Sequence, residues 1–393
     1  MTSNIEEHIE ILSGYPFNSE LFNNEQQGSP LIRIRDLEKT ASDTYFNGDF
    51  QDIYLMKKKD ILIGMDGDFL CVKWKGEPSL LNQRICKITA KETLHRDYLY
   101  HNLQDKLDYI HYRTAGTTVK HLSVKDIKKI DIFFPPLKEQ EKIADILSTA
   151  DDKIDAIASQ IKKTETLKKG LLQKLLSEGI GHSEFKDSEI GKIPESWEIV
   201  ELEKLLSFKN GVNASKEQYG KGYRFINVLD IINNLTIRHD DIIGLVDINE
   251  KEFKMYEVKY GDILFQRSSE TKEEVGQSNV YLDKEQSATF GGFVIKGSAK
   301  QEYNPVFMNY LFKIPAIRKQ ITSKSGGSTR YNIGQNSLNQ VIVQFPPLEE
   351  QKQIADILST ADEKLEVLRA KKEKYETLKK GLLQKLLSGE VRV

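Results

Sequence analysis

The sequence predicts an α+β protein in which two mixed α/β domains of similar fold are joined by two long antiparallel helices, as a pseudo-two-fold internal repeat. The segment FPPLKEQEKIADILSTAD at 134–151 returns as FPPLEEQKQIADILSTAD at 345–362, and each copy leads into ETLKKGLLQKLLS. The stretches before the two copies share a pattern of apolar residues but little identity. A nearly constant pair of segments therefore alternates with a variable pair.

The repeated segments have the heptad spacing of helices that lie along another helix. Pro136 and Pro347 suit a first helical turn, where a missing N–H costs little. About 40 residues at 1.5 Å each would form a rod of about 60 Å. A pair of core helices in an ordinary domain is the alternative. The predicted seam consists of Ile143, Leu147, Ala150, Ile154, Ile157 and Ile161 in the first copy, and of Ile354, Leu358, Ala361, Leu365 and Leu368 in the second.

The variable stretches indicate mixed α/β domains in which strands outnumber helices. Short apolar runs such as PLIRI, DILIGM and DILFQR are separated by clusters of turn-forming residues, and helical patterns come late, at 98–110 and 306–321. We therefore predict a first variable domain at 1–133, a first helical region at 134–180, a linker with the second variable domain at 181–344, and a second helical region at 345–393.

Composition narrows the class of protein. The chain of 393 residues is 39% hydrophobic and 30% charged, as expected of a globular protein with a highly charged surface. It contains no run of 18 apolar residues, and its N-terminus lacks the apolar stretch of a signal peptide, so we expect no membrane association and a cytoplasmic location. Cys71 and Cys86 are expected to be two ordinary thiols rather than a disulfide.

Motifs of catalysis are missing from the sequence. There is no phosphate-binding loop and no dinucleotide fingerprint, and the histidines and cysteines lack metal-ligand spacing. Asn304-Pro-Val-Phe307 faintly resembles the tetrad of adenine methyltransferases, but Phe307 is better explained by core packing. The glycines of FGGF at 290–293 indicate a tight turn or bulge rather than a phosphate site. We expect no catalytic residue and no metal site.

The remaining candidates for function are polar side chains on strands and loops, which are suited to recognition rather than catalysis. The segments GTTVKHL at 116–122 and GSTRYNI at 327–333 occupy equivalent places before the two helical regions, and hydroxyls, lysines, arginines and amides there suit phosphates and base edges. Arg33 and Arg35 alternate with apolar residues and are assigned to the solvated face of a strand. Plain polar loops and a neutral surface are the alternatives. The candidate contacts are Arg33, Arg35, Gln83, Arg84, Thr117, Thr118 and Lys120 in the first domain, and Gln266, Arg267, Lys272, Ser328, Thr329, Arg330, Tyr331 and Asn332 in the second.

This organisation resembles the specificity subunit of a type I restriction–modification system. The resemblance covers essentially the whole chain and is carried by FPPLxEQxxIADILSTAD, by the closing LKKGLLQKLL and by GKIPESWEIVEL before the second domain. It implies two target recognition domains, each binding one half of a split, asymmetric site on double-stranded DNA, with an antiparallel coiled coil between them. It also implies two methyltransferase subunits as partners, restriction and motor subunits that join through them, and S-adenosylmethionine, ATP and Mg on those partners only.

One departure from the family pattern concerns the N-terminus. The lead-in GKIPESWEIVEL has no clear counterpart before the first domain, so we expect part of the contact between the chain's two ends to be absent. Three other functions are the alternatives: a coiled-coil scaffold whose globular heads bind proteins, a self-sufficient methyltransferase or nuclease, and a solitary DNA-binding regulator. Salt-sensitive affinity for DNA would distinguish the main hypothesis from the scaffold.

Overall fold

The structure, a computed structural model, describes residues 2–39, 41–113 and 119–393. Contacts divide the chain into two units, each made of one variable domain and parts of both long helices. Unit 1 comprises Met1–Gln160 with Leu368–Val393, and unit 2 comprises Ile161–Val367. The four predicted regions are continuous stretches of sequence, whereas the two units divide each long helix. The first part of a long helix belongs to one unit and its last part to the other.

In unit 1, ten short strands precede the first helix. They are β1 (Thr2–Asn4), β2 (Ile9–Ser13), β3 (Phe22–Asn23), β4 (Ser29–Ile32), β5 (Tyr45–Phe46), β6 (Leu55–Met56), β7 (Ile61–Gly64), β8 (Cys71–Lys73), β9 (Ser79–Leu81) and β10 (Ile85–Ala90). They are followed by α1 (Arg96–Arg113), α2 (Val124–Lys128), β11 (Asp131–Phe133) and the long helix α3 (Leu137–Leu175).

Unit 2 repeats this arrangement with additional short elements. Its strands are β12 (Phe185–Ser188), β13 (Gly191–Pro194), β14 (Glu198–Glu201), β15 (Leu206–Asn210), β16 (Tyr219–Ile226), β17 (Leu245–Val246), β18 (Ile263–Gln266), β19 (Ser268–Ser269), β20 (Ser278–Val280), β21 (Thr289–Phe290), β22 (Val294–Ala299), β23 (Tyr331–Asn332) and β24 (Ile342–Phe345). Its helices are α4 (Leu202–Leu205), α5 (Val228–Asn233), α6 (Glu250–Met255), α7 (Pro305–Leu311), α8 (Pro315–Ser323), α9 (Gln335–Asn339) and the long helix α10 (Leu348–Leu387).

One four-stranded sheet and two strand pairs correspond between the units. Unit 1 has an antiparallel sheet in the order β2-β10-β7-β8, and unit 2 has β15-β22-β18-β20. Each unit also has a parallel pair, β4 with β9 and β16 with β21, and an antiparallel pair whose second strand comes just before its long helix, β1 with β11 and β14 with β24. The predicted α+β repeat is confirmed.

The long helices hold the domains through equivalent glutamines. The buried side chain of Gln140 accepts the N–H of His95 at 2.8 Å, and that of Gln351 accepts the N–H of Asn304 at 2.9 Å. Each amide also donates to a carbonyl of the proline pair before its helix, at 2.9 Å. The variable domains are thereby anchored to the constant helices at the same position.

Within each unit, the late part of one long helix lies beside the early part of the other, as in an antiparallel pair. In unit 2, Lys168 Nζ is 2.5 Å from Asp362 Oδ1, and in unit 1 Lys379 Nζ is 2.6 Å from Asp151 Oδ1. Both positions recur at the repeat interval. Of the predicted seam, Ile154 and Ile161 are half-buried, and the remaining residues are buried.

The start of each long helix carries a glutamate with different partners in the two units. Glu350 accepts hydrogen bonds from the N–H of Ile180 at 2.9 Å and from Trp197 Nε1 at 2.9 Å. Its equivalent, Glu139, instead accepts two hydrogen bonds from the guanidinium of Arg392, at 2.5 and 2.6 Å. In unit 1 the last residues of the chain thus occupy the place that the lead-in occupies in unit 2.

The predictions for Phe307, for FGGF and for the two cysteines can be compared with the structure. Phe307 is fully buried, and FGGF forms a tight turn between β21 and β22. Cys71 and Cys86 are both free and buried, and burial raises the pKa of the Cys86 thiol to about 12.

No helix in the described ranges is long and apolar enough to cross a membrane. Among the same residues no group of histidine, cysteine or acidic side chains has the arrangement of a metal site.

Candidate nucleic-acid interface

Three segments of unit 2 meet at the end of β18 and are tied together through their backbones. The N–H of Arg267 donates to the carbonyl of Phe293 at 2.8 Å, and the N–H of Ile333 donates to the carbonyl of Arg267 at 3.0 Å. Arg267 Nη1 also donates to the carbonyl of Gly292 at 3.2 Å. We call this meeting point, made of Arg267–Ser268, Gly292–Phe293 and Tyr331–Ile333, the unit 2 junction.

Unit 1 contains the same junction at the end of β7. The N–H of Met65 donates to the carbonyl of Arg84 at 2.8 Å, and the N–H of Leu122 donates to the carbonyl of Met65 at 2.8 Å. These bonds match those of Arg267 one for one. The unit 1 junction therefore consists of Met65–Asp66, Gln83–Arg84 and Lys120–Leu122. Two domains of low identity have kept the same hydrogen-bonded frame.

The frames match, but the side chains on them differ. In unit 1, Asp66 Oδ1 is 2.6 Å from His121 Nδ1, and Asp66 Oδ2 is 3.7 Å from the Nε of Arg84. In unit 2, Ser268 and Asn332 stand where Asp66 and His121 stand in unit 1, and the hydroxyl of Ser268 donates to the amide oxygen of Asn332. The unit 1 junction thus presents charged and titratable groups, whereas the corresponding pair in unit 2 is neutral. Equivalent sites with different donors and acceptors are suited to two different base sequences.

Two glycines allow the unit 2 junction to close. A Cβ on Gly292 would lie 2.0 Å from the side-chain oxygen of Asn213, so a larger residue at this place would require the Asn213 side chain to move. Gly327 has φ +127° and comes so close to the carbonyl of Arg330 that a Cβ would lie 1.9 Å from it. That close approach folds the loop before β23 back on itself. Residues 328–330 at the tip of the loop are left exposed.

The junction contains three of the second domain's eight predicted contacts, Arg267, Tyr331 and Asn332, and residues 328–330 lie in the loop that leads into it. Ser328, Thr329, Arg330 and Asn332 are exposed, and Tyr331 and Arg267 are half-buried. Lys272 is exposed in the loop between β19 and β20. Gln266 is buried: its amide donates to the carbonyl of Ser268 at 2.9 Å, and its Oε1 has no partner in the described part of the chain. Gln266 therefore stabilises the junction backbone at Ser268 and is not exposed for contact with DNA.

In the first domain, only some predicted contacts lie at the junction. Gln83 and Arg84 are exposed in the turn between β9 and β10, where Arg84 has φ +70°. Lys120 is half-buried, and its Nζ donates to the carbonyl of His111 at 2.6 Å. Thr117 and Thr118 lie outside the described residues.

The assignment of Arg33 and Arg35 to a strand face is wrong. Strand β4 ends at Ile32, and Ile34–Asp36 form a 3-10 turn, because the carboxylate of Asp36 accepts the N–H of Arg33 at 2.9 Å and ends the extended run. Arg33 is half-buried, with its guanidinium 5.3 Å from the ring centre of Phe22, whereas Arg35 is exposed.

The junctions also contain residues outside the predicted contacts, among them Asp66, His121, Ser268 and Phe293. His121 and Asn332 stand at the same place in the repeat, as do Arg84 and Phe293. A consistent use of the repeat would have added His121 and Phe293 to the candidates. For Asp66 and Ser268 the sequence offers no comparable indication. Only the fold shows that Asp66 lies opposite His121 and that Ser268 lies opposite Asn332.

Comparison with known proteins agrees with this duplicated architecture. The family model described as "Type I restriction modification DNA specificity domain" matches residues 1–166 and again residues 194–377. The chain belongs to this family. Each match contains one variable domain with its junction and most of one long helix, so the specificity domain occurs twice in the chain.

Relatives in the family cover most of the chain. It is 28% identical to the type I restriction enzyme MjaVIII specificity subunit of Methanocaldococcus jannaschii, over 86% of this chain and 80% of that protein. It is 27% identical to the EcoBI specificity subunit of Escherichia coli, over 97% and 84%. The crystal structure of the S subunit from M. genitalium has the same fold, with a TM-score of 0.62 and 16% identity over 98% of this chain and 96% of that one.

Proposed function

We propose that this chain is the DNA-reading subunit of a type I restriction–modification complex and recognises a bipartite, asymmetric site. The domain at 1–133 binds one half of the site, and the domain within 181–344 binds the other. The observation that carries the proposal is the duplicated junction, in which one backbone frame holds two different sets of polar side chains. An asymmetric site needs two unlike readers, which a single duplicated chain supplies and a symmetric homodimer does not.

The chemistry of the junctions supports contact with DNA. Arg84 and Arg330 each present an exposed guanidinium, which can donate two hydrogen bonds to a guanine edge. The hydroxyls of Ser328 and Thr329 beside Arg330 suit phosphate oxygens, and such contacts fix the orientation of a protein on the duplex.

The long helices support the rest of the assembly. Their sequences are nearly the same, so their exposed faces offer two equivalent surfaces for two copies of a methyltransferase subunit. Restriction and motor subunits then join through the methyltransferases. S-adenosylmethionine, ATP and Mg belong to those partners in this proposal, which assigns no catalytic residue to the chain and locates the complex with the DNA in the cytoplasm.

The test combines methylation mapping with binding. The chain is expressed with its methyltransferase, the methylated site is located by methylome sequencing, and binding of a duplex with that site is measured between about 50 and 200 mM salt. We expect one split, asymmetric motif and an affinity that falls steeply with salt, as phosphate contacts require. A scaffold with protein-binding heads predicts no such motif and no salt-sensitive affinity, and that result would overturn the proposal.

The helices can be tested separately. Inserting one heptad at equivalent positions of both long helices keeps the seam in register and adds about 10 Å to each helix, which is about three base pairs of DNA. The expected result is a longer spacer between two unchanged half-sites. Altered half-sites would show that the helices do not set the distance.

A further inference from the structure

Phe293 is an exposed aromatic residue at the unit 2 junction. Its exposed fraction is 64%, although it stands in a turn that three backbone hydrogen bonds hold. The carbonyl of Phe293 accepts the N–H of Arg267 at 2.8 Å, the N–H of Val294 donates to Gly291 at 2.9 Å, and the N–H of Gly291 donates to Ile226 at 3.0 Å. A fixed turn thus presents an apolar ring to the outside.

The other exposed and half-buried side chains of the junction are polar. They belong to Arg267, Ser268, Tyr331 and Asn332, which offer a guanidinium, two hydroxyls and an amide. A protein-docking surface would be expected to place several apolar side chains together. A single ring among hydrogen-bond donors instead fits a nucleic acid, whose bases present flat apolar faces beside polar edges.

The equivalent residue in unit 1 makes the contrast clear. Arg84 holds that place, with its Nε 3.7 Å from the carboxylate of Asp66. The same position in the repeat therefore carries a hydrogen-bond donor in one domain and a ring that cannot donate in the other. A guanidinium reads a base edge, whereas a phenyl ring can contact a base only through its face or through a thymine methyl group.

On the basis of the proposed function, we propose that Phe293 is a specificity-determining residue that stacks on a base face in the half-site bound by unit 2. Insertion of an apolar side chain against a base step partly unstacks it and favours steps that deform easily, such as TA and CA. This half-site is then selected partly by its deformability, while Arg330 and Asn332 remain available for base edges.

The test uses the full chain assembled with its methyltransferase subunits, and duplexes that carry the methylated site. 2-Aminopurine, whose fluorescence rises when it is unstacked, replaces each adenine of the second half-site in turn. We expect one position to brighten on binding. Phe293→Ala should remove that signal and weaken cognate binding about 10- to 100-fold, with non-specific binding unchanged. Phe293→Trp should keep the affinity, because an indole ring also stacks on a base.

The matched control is Tyr260→Ala, another exposed aromatic residue, which precedes the opposite end of β18 from Arg267. It should alter neither the signal nor the affinity. Because the Phe293 ring is mostly exposed, the thermal midpoint of Phe293→Ala should match that of the wild type, which confirms folding.

Two results would overturn the inference. One is cognate binding by Phe293→Ala within twofold of the wild type. The other is a binding loss reproduced by replacing a single thymine with uracil, with no 2-aminopurine brightening, since that pattern identifies contact with a methyl group. Failure of the wild-type complex to bind the duplex in a salt-dependent way would instead count against the proposed function.

Discussion

The ion pair between Lys168 and Asp362 joins the two long helices inside unit 2, and its removal should destabilise that unit. Its atoms are 2.5 Å apart, and the two side chains are 19% and 16% exposed. A hydrogen bond between charged groups contributes about 1.5–3 kcal/mol, and breaking a fully buried pair costs about 3–5 kcal/mol. The hydroxyl of Tyr310, at 2.6 Å, still donates to Asp362 once Lys168 is lost. We therefore expect Lys168→Met to cost about 2 kcal/mol, about a 30-fold change in the unfolding equilibrium.

The two tryptophans make the measurement specific to one unit. Trp74 is buried in unit 1 and Trp197 in unit 2, so a Trp74→Phe background leaves fluorescence that reports on unit 2. Urea unfolding of Lys168→Met, Asp362→Asn and the double variant gives a double-mutant cycle, and we expect a coupling energy above about 1 kcal/mol. The control is Lys254→Met, which breaks an exposed pair within α6 and should cost about 0.2–0.5 kcal/mol. A coupling energy below about 0.5 kcal/mol, or a Lys168→Met cost equal to that of the control, would refute the reasoning.

Three further predictions concern the interface and unit 1. Arg330→Ala should weaken cognate binding by about 1–3 kcal/mol and relax the methylated motif at one base position; uniform weakening would indicate a phosphate contact instead. Gly292→Ala should displace the Asn213 side chain from the junction turn and reduce discrimination in the second half-site only; unchanged discrimination in competition binding would contradict this. Burial lowers the pKa of His101 from 6.5 to about 3, so the unfolded chain binds a proton that the folded chain does not. Stability is then lost as the pH falls below 6.5, by about 2 kcal/mol down to pH 5. His101→Gln should flatten that dependence, and an equal slope in the variant would show that another group is responsible.

The constant segments could be predicted closely because their signal is local and repeated. The heptads and the prolines set helix bounds near Leu137–Leu175 and Leu348–Leu387, and the fold class followed from the alternation of constant and variable stretches. The strand assignment of Arg33 was wrong for a local reason, since a side-chain cap from Asp36 outweighs an alternating pattern.

The junctions could be predicted only in part because they are tertiary. Segments far apart in the chain meet there, and none has a motif of its own. Arg267 and Asn332 could be predicted from residue type, but Phe293 could not, because an exposed apolar ring cannot be told from a core residue in a sequence. Phe293 and Arg84 occupy the same position in the repeat. That equivalence points to Phe293 as a candidate contact, which its residue type alone does not.

The central claim is that each variable domain reads one half of a single DNA site. It is tested most directly by replacing residues 1–133 with the corresponding domain of another specificity subunit and sequencing the methylome of the host. We expect a new first half-site, with the second half-site and the spacing unchanged. A change in both half-sites, or in neither, would contradict it.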